Sequence, residues 1–315
     1  MRARPAPVRT RVSELLGVDY PIVQAPMGWI ARAQLASAVS EAGGFGIIET
    51  SSGELDAVRA EITKMRDLTD KPWGVNIAQM FVRDPSIVDF VVDQGVQFVT
   101  TSAGDPNRYT AALKDAGLTV FHVVPTVAAA HKAVDAGVDG LVVEGAEGGG
   151  FKDPKGAATM VLLPAVRAAV DVPIIAAGGI CDGPSMAAAF ALGAEGVQMG
   201  TRMVSSRESP IHENWKQAIV EAAETGTAFV NRFGRPGLRA IRTERTAGLE
   251  AQGSVDMGTA FGDVRAVYFG GRLEEGIALA GEVSGRIRSV EPVAKVIDDT
   301  VRGFYETAAA MGRYA

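Results

Sequence analysis

The sequence predicts an α/β fold, a closed (βα)8 TIM barrel carrying a small, mainly helical cap. Three observations lead there. Eight short apolar runs recur along the first two thirds of the chain, each entered through a proline or a glycine. Segments with apolar residues at helical spacing separate them. The runs themselves are near-continuous Val, Ile and Ala, the pattern of strands buried on both faces in a parallel sheet. Eight such units in roughly 200 residues close a barrel, whereas an open doubly wound sheet stops at about five or six strands.

In chain order, the first strand is "YPIVQAP", entered at Pro21, and the second "EAGGFGII", entered at Gly43. The third, "KPWGVNI", enters at Pro72, followed by "DQGVQFVT" at Gly95, "DAGLTVFHVV" at Gly117 and "DAGVDGLVV" at Gly137. The seventh is "VPIIAAGG" at Pro173 and the eighth "LGAEGVQMG" from Gly193. Proline is tolerated at a strand's first residue, where its missing N–H costs least. Glycine takes the left-handed helix C-cap without a steric penalty, so each entry glycine marks helix end, turn and strand start. Between the second and third strands, Leu55, Val58, Ile62 and Met65 form one apolar helix face. From about Pro210 to Ser284 the rhythm breaks, and "EPVAKVIDDTVRGFYETAAAMGRYA" then reads as a long amphipathic helix. The expected division is a barrel over 1–209, a cap subdomain over 210–284 and a helix over 285–315 that returns to the barrel.

Composition narrows the function. Over 315 residues, 47% hydrophobic, 22% charged and 37 glycines describe a globular protein with many tight turns. A net charge of -6, with no basic cluster interleaved with aromatics, argues against a nucleic-acid partner. Cys181 is the single cysteine, which excludes disulfide scaffolds and cysteine-ligated metals. The basic opening "MRARPAPVRTRV" lacks an apolar signal core, and no uninterrupted apolar run of about 18 residues occurs. The expectation is a cytoplasmic protein with no membrane partner; a cap beside an exposed barrel wall is compatible with a homodimer.

Function in such a barrel collects at the carboxyl ends of the strands. Ala177-Gly178-Gly179-Ile180 and Met199-Gly200-Thr201 end the last two predicted strands, where backbone N–H groups commonly hold phosphate. The same glycines would also serve as plain tight turns; their pairing favours phosphate. Asn76 closes an apolar strand and offers an amide to a heterocycle edge. Met27, between Pro26 and Gly28, packs either on an aromatic ligand face or in the core. Gln198 meets either a ligand or a strand-end carbonyl. Together these describe a flat heterocycle with a phosphate tail. Of the three histidines, His131 falls on a helix surface, His212 starts a cap helix, and His122 ends the fifth strand near the barrel mouth. No metalloprotease, triad or paired-carboxylate pattern occurs.

The motifs "PIVQAPMGWIA", "EAGGFGIIE", "GVNI", "VTTSAGDP", "VVEGAEGGG", "PIIAAGGICDG" and "GAEGVQMGTRMVSSRES" resemble, in order, a family of FMN-dependent barrels. It comprises the nitronate monooxygenases, formerly 2-nitropropane dioxygenases, and the flavin-dependent enoyl-acyl-carrier-protein reductases. The resemblance runs from about Pro21 to Ser209 and extends weakly into "RPGLRAIRT". "MGWIA" with Trp29, "TTSAGDPNRY" and "VVPTVAAA" look more like the enoyl-reductase branch. The resemblance implies an FMN whose ring is lined by Ala25, Pro26, Met27 and Gly28, whose polar edge meets Asn76, and whose phosphate is held by Gly178, Gly179, Gly200 and Thr201. Glu144, Gly145, Gly148 and Gly149 would form a loop beside the ring, where the bare glycines let the backbone approach it.

One departure is chemical. The family pattern reads Glu-Gly-x-Glu-Ala-Gly-Gly-His; here Phe151 stands at the histidine and Gly148 at the alanine. Phenylalanine moves no proton, so chemistry that needs the imidazole must proceed otherwise. The leading expectation is therefore hydride transfer between NADH or NADPH and the activated C–C bond of an enoyl or enone thioester, on CoA or an acyl carrier. Lys152, His122 or water would supply the proton, Lys152 reading equally as a solvated loop lysine or a contact to CoA phosphates. Nitronate oxidation is the alternative, disfavoured by Phe151, and a non-catalytic flavin-binding barrel is the third reading.

Overall fold

A computed structural model describes residues 3–51 and 55–314. Eight parallel strands form the barrel: β1 (Ile22–Gln24), β2 (Gly46–Glu49), β3 (Trp73–Ala78), β4 (Phe98–Ser102), β5 (Thr119–Val124), β6 (Gly140–Glu144), β8 (Ile174–Ala177) and β9 (Gly196–Met199). β1 pairs with β9 and meets the start of β2 through a bridge between Val23 and Phe45, which brings the sheet back on itself. The five entry glycines, Gly43, Gly95, Gly117, Gly137 and Gly193, all have φ between 64° and 101°. Each sits where a helix ends, the left-handed cap that the sequence predicts.

The barrel interior is filled by rings. Phe45 packs edge-on against Phe98 with centroids 4.9 Å apart, and Phe98 against Phe121 at 5.3 Å. Val23, Ile47, Val142 and Ile175 complete this layer, and the helix Arg11–Leu16 plugs the barrel's amino end with Val12 and Leu16. The larger apolar layer lies between the strands and the surrounding helices, where Val58, Ile62 and Met65 are buried as the spacing predicts.

Two short strands, β10 (Thr227–Val230) and β11 (Gly237–Ile241), form an antiparallel hairpin in the expected cap, and a third, β7 (Gly150–Lys152), adds to it. Leu238 faces Phe151 and Gly237 faces Lys152 in this register. The glycine run after β6 thus ends in a strand that the sequence reading did not foresee. The helix Val293–Met311 buries Val293, Val296, Ile297 and Val301 against the barrel's outer layer. Gly183 and Gly303 touch backbone to backbone, and Phe190 packs on Phe304 at 4.9 Å, so this helix docks on the helix Gly183–Ala191. Among the described residues no helix is long and apolar enough to cross a membrane, and no three His, Cys, Asp or Glu side chains cluster as metal ligands.

Candidate active site

The carboxyl ends of the barrel strands open into a cavity of about 1170 Å³, roofed by Arg235, Pro236, Phe261 and Leu279 from the later part of the chain. Ordinary small-ligand sites run to roughly 300–1,000 Å³, so a cofactor and a second ligand have room together.

After β1, Ala25, Pro26, Met27 and Gly28 line one wall. The N–H groups of Ile30 and Ala31 both donate to the Met27 carbonyl, which folds the chain back tightly. Trp29 takes φ 65°, a costly conformation for a large side chain. Glu49, at the end of β2, holds it there: its carboxylate accepts from the Trp29 N–H at 3.2 Å and pairs with Arg32 at 2.9 Å. The indole lies with the guanidinium carbons of Arg32 and Arg265 each 5.8 Å from its centre.

Asn76, on β3, is buried with its amide NH2 donating to Thr100 and to Ser102 Oγ. Those bonds fix the amide, so its carbonyl is what it offers to the cavity. Gln198 also reaches the wall, and its buried Oε1 has no protein partner. Met199 does not reach it. Neighbouring side chains on a strand point to opposite faces, and Met199 is fully buried in the outer apolar layer.

Ala177, Gly178, Gly179, Gly200 and Thr201 all line the cavity. Thr201 Oγ1 accepts from the Gly281 N–H at 2.8 Å, which ties the roof to this corner and leaves the hydroxyl proton to donate elsewhere. Glu144, Gly148 and Gly149 also reach the wall, whereas Gly145 does not. The loop's glycines have protein neighbours. A Cβ on Gly145 would strike Thr159 Oγ1 and one on Gly149 would come within 2.7 Å of the Ala280 backbone. The expectation that they make space for a ring is corrected at these two positions: the chain itself fills that space.

The sequence reading also passed over Glu147, whose two oxygens accept from the Thr159 N–H at 2.9 Å and so cap the helix Thr159–Ala169. Its signal was present, as the second acid of the Glu-Gly-x-Glu pattern.

His122 reaches the cavity wall, where its ring Nδ1 pairs with Thr101 Oγ1 at 2.7 Å. Burial pushes its pKa down to about 4, so the ring is neutral at neutral pH. His131 is exposed and His212 caps the helix Glu213–Glu221, accepting from the Asn214 N–H at 3.1 Å. Phe151 sits on the wall between Phe81, at 5.6 Å, and Phe261, at 5.9 Å. Lys152, the next residue of β7, also lines the cavity, with Nζ 2.7 Å from Glu144 Oε1 and its side chain 5% exposed. Phe81 and Phe261 come from distant segments, and no local pattern announces their meeting.

The sequence matches the family model described as nitronate monooxygenase over residues 9–86 and 79–303. The chain belongs to this family. Among relatives of this nitronate monooxygenase family member is a (3aS,4S,5R,7aS)-5-hydroxy-7a-methyl-1-oxo-octahydro-1H-indene-4-carboxyl-CoA dehydrogenase of Mycobacterium tuberculosis. It is 38% identical over 78% of this chain and 69% of that protein. A probable nitronate monooxygenase of Staphylococcus saprophyticus is 31% identical over 75% of this chain and 79% of its own length. Among solved structures, FabK from Thermotoga maritima superposes with a TM-score of 0.91 at 37% identity, covering 98% of this chain and 100% of the other. The family member is accordingly an oxidoreductase of the nitronate monooxygenase and enoyl reductase type.

Proposed function

We propose that this chain is an FMN-dependent oxidoreductase that passes a hydride between NADH or NADPH and the activated C–C bond of an enoyl- or enone-type thioester, carried on CoA or an acyl carrier. The observation that carries the choice within the family is Phe151: the wall position expected to hold a base is part of an aromatic cluster with Phe81 and Phe261. Positioning a hydride donor and acceptor requires no base at that point, whereas nitronate oxidation in this family relies on one. The 38% identity to a CoA dehydrogenase supports the same choice.

The residues present fit FMN. Gly200 has φ -96°, so no backbone strain demands glycine, and a Cβ there would approach nothing closer than Ala25 Cβ at 3.6 Å. A glycine required neither by conformation nor by protein packing leaves its space to a ligand. The orphaned Gln198 acceptor and the fixed Asn76 carbonyl suit a polar ring edge or hydroxyl tail that brings donors. In this reading Ala25, Pro26, Met27 and Gly28 pack on the ring, Gly178, Gly179, Gly200 and Thr201 hold the phosphate, and Ala177 and Gln198 lie between. The flavin, when bound, supplies the two-electron chemistry. The protein orients both partners and, through Phe81, Phe151 and Phe261, keeps water from the reacting carbons. The division into a barrel (1–209), a cap (210–284) and a returning helix (285–315) belongs to this proposal, with the cap as the roof over the second ligand.

Anaerobic mixing of the flavin-loaded protein with NADH or NADPH is expected to bleach the flavin, and an enoyl-CoA to restore its absorbance. A flavin untouched by either nicotinamide in a protein that oxidises alkyl nitronates would reverse the assignment. Phe151→His is expected to raise nitronate turnover on the order of 100-fold, the contribution typical of a positioned general base. Turnover unchanged by this substitution would show that the rest of the pocket, not the absent imidazole, excludes nitronates.

A further inference from the structure

Adding a hydride to an enoyl thioester leaves a negative charge that a proton must quench, and the cavity wall holds few groups able to give one. His122 is bonded through Nδ1 to Thr101 Oγ1 and kept neutral by burial, so it carries no spare proton to give, and Glu147 is tied as an acceptor to the Thr159 N–H. Tyr268 lines the cavity, but burial raises its pKa and holds its proton tightly. Lys132 is half exposed at 52% and paired with Asp105. Lys152 differs from all of these. Its ammonium has three donors; one meets Glu144 Oε1 at 2.7 Å and a second the Phe151 carbonyl at 3.2 Å. The third has no partner among the described residues. Glu144 itself is 28% exposed, so the pair runs from the buried wall to the solvent-accessible part of the cavity.

A second observation points the same way. A Cβ on Gly148 would lie 2.8 Å from Lys152 Cε and 3.0 Å from Glu144 Oε1. The alanine that the resembling pattern carries there would press on both members of the pair. The two departures from that pattern, Gly148 and Phe151, thus flank one arrangement: the imidazole is replaced and room is made for a buried lysine.

We propose that Lys152 supplies the proton that completes reduction of the thioester, with Glu144 linking it to solvent. The inference rests on the thioester reading above. A hydride equivalent from the reduced nicotinamide reaches the β-carbon, and the electron pair of the double bond moves to the α-carbon and thioester oxygen. A C–H bond then forms at the α-carbon as an N–H bond of Lys152 breaks. The neutral amine regains its proton from water through Glu144.

Stopped-flow separation of the two half-reactions tests this on the flavin-loaded protein. Lys152→Met is expected to leave bleaching by the nicotinamide within about twofold and to slow reoxidation by an enoyl-CoA at least about 100-fold. In D2O the wild type should place deuterium on one face of the α-carbon, and Lys152→Met should give both faces, a signature that a merely structural role would not produce. Glu144→Gln, which keeps a hydrogen-bonding side chain, is expected to slow reoxidation about tenfold, and it carries the test if Lys152→Met does not retain flavin. Wild-type reoxidation rates and single-face deuteration in the variant would overturn the assignment. A wild-type protein whose bleached flavin no enoyl-CoA reoxidises would overturn the thioester reading, and this inference with it.

Discussion

Gly200→Val is expected to give a folded protein that does not hold flavin. Gly200 precedes the short helix Thr201–Val204 with φ -96°, a conformation open to any residue, and Cβ space around it is limited only by Ala25 Cβ and Met27 Sδ, at 3.6 and 3.9 Å. Valine is therefore accommodated by the empty protein. Its two methyl groups then take up space in the cavity that Gly178, Gly179 and Thr201 also line. A phosphate held by backbone N–H groups needs their edges bare, and a branched side chain removes that approach. The expected loss is at least about 100-fold in flavin affinity, or about 2.7 kcal/mol. The measurements are flavin retained through desalting and the thermal midpoint with and without added FMN. The wild-type midpoint should rise with FMN, since a ligand that binds only the folded state stabilises it, and the variant midpoint should not. A yellow, FMN-stabilised variant would mean that the phosphate is held elsewhere.

The contrast between Gly200 and its neighbours shows how far this site could be read from the sequence. The barrel was legible because its signals are local and repeated: a capping glycine is imposed by the residue's own backbone, and Gly43, Gly95, Gly117, Gly137 and Gly193 each take the required conformation. Asn76, Gln198 and the glycines after β8 and β9 were legible because a strand end in a barrel points at the mouth. The Met199 side chain is sent outward by the strand's alternation when Gln198 turns in, which leaves only its backbone near the mouth. The glycine run after β6 misled more deeply. Gly149 is bare because Ala280 and Gly281, some 130 residues later, lie against it. β7 exists because Gly150, Phe151 and Lys152 pair with Arg239, Leu238 and Gly237. A three-residue strand containing glycine has no strand propensity of its own. Its partner supplies the hydrogen bonds, and only the folded chain reveals the partner.

Phe121→Ala is expected to cost about 3–5 kcal/mol, the largest loss of stability from a single substitution considered for this protein. Phe121 is fully buried inside the barrel and packs on Phe98, which packs on Phe45. The surrounding staves cannot close on the vacancy. β5 is hydrogen-bonded to β4 and β6 on its two sides, so its backbone is held at a fixed strand spacing. Such a loss is a large fraction of the roughly 5–15 kcal/mol that holds a domain folded, and it is read as a lowered urea midpoint with the slope unchanged. The neighbouring stave sharpens the test. Gly140, on β6, has no side chain because a Cβ there would run into the Phe121 ring. Gly140→Ala alone should therefore destabilise by about 1–3 kcal/mol through overpacking. In the double variant the new methyl enters the space the ring has left, and the two losses should fall short of their sum by at least about 0.5 kcal/mol, as contacting positions do. Strict additivity would mean that the ring and the bare stave are not the matched pair that the geometry makes them.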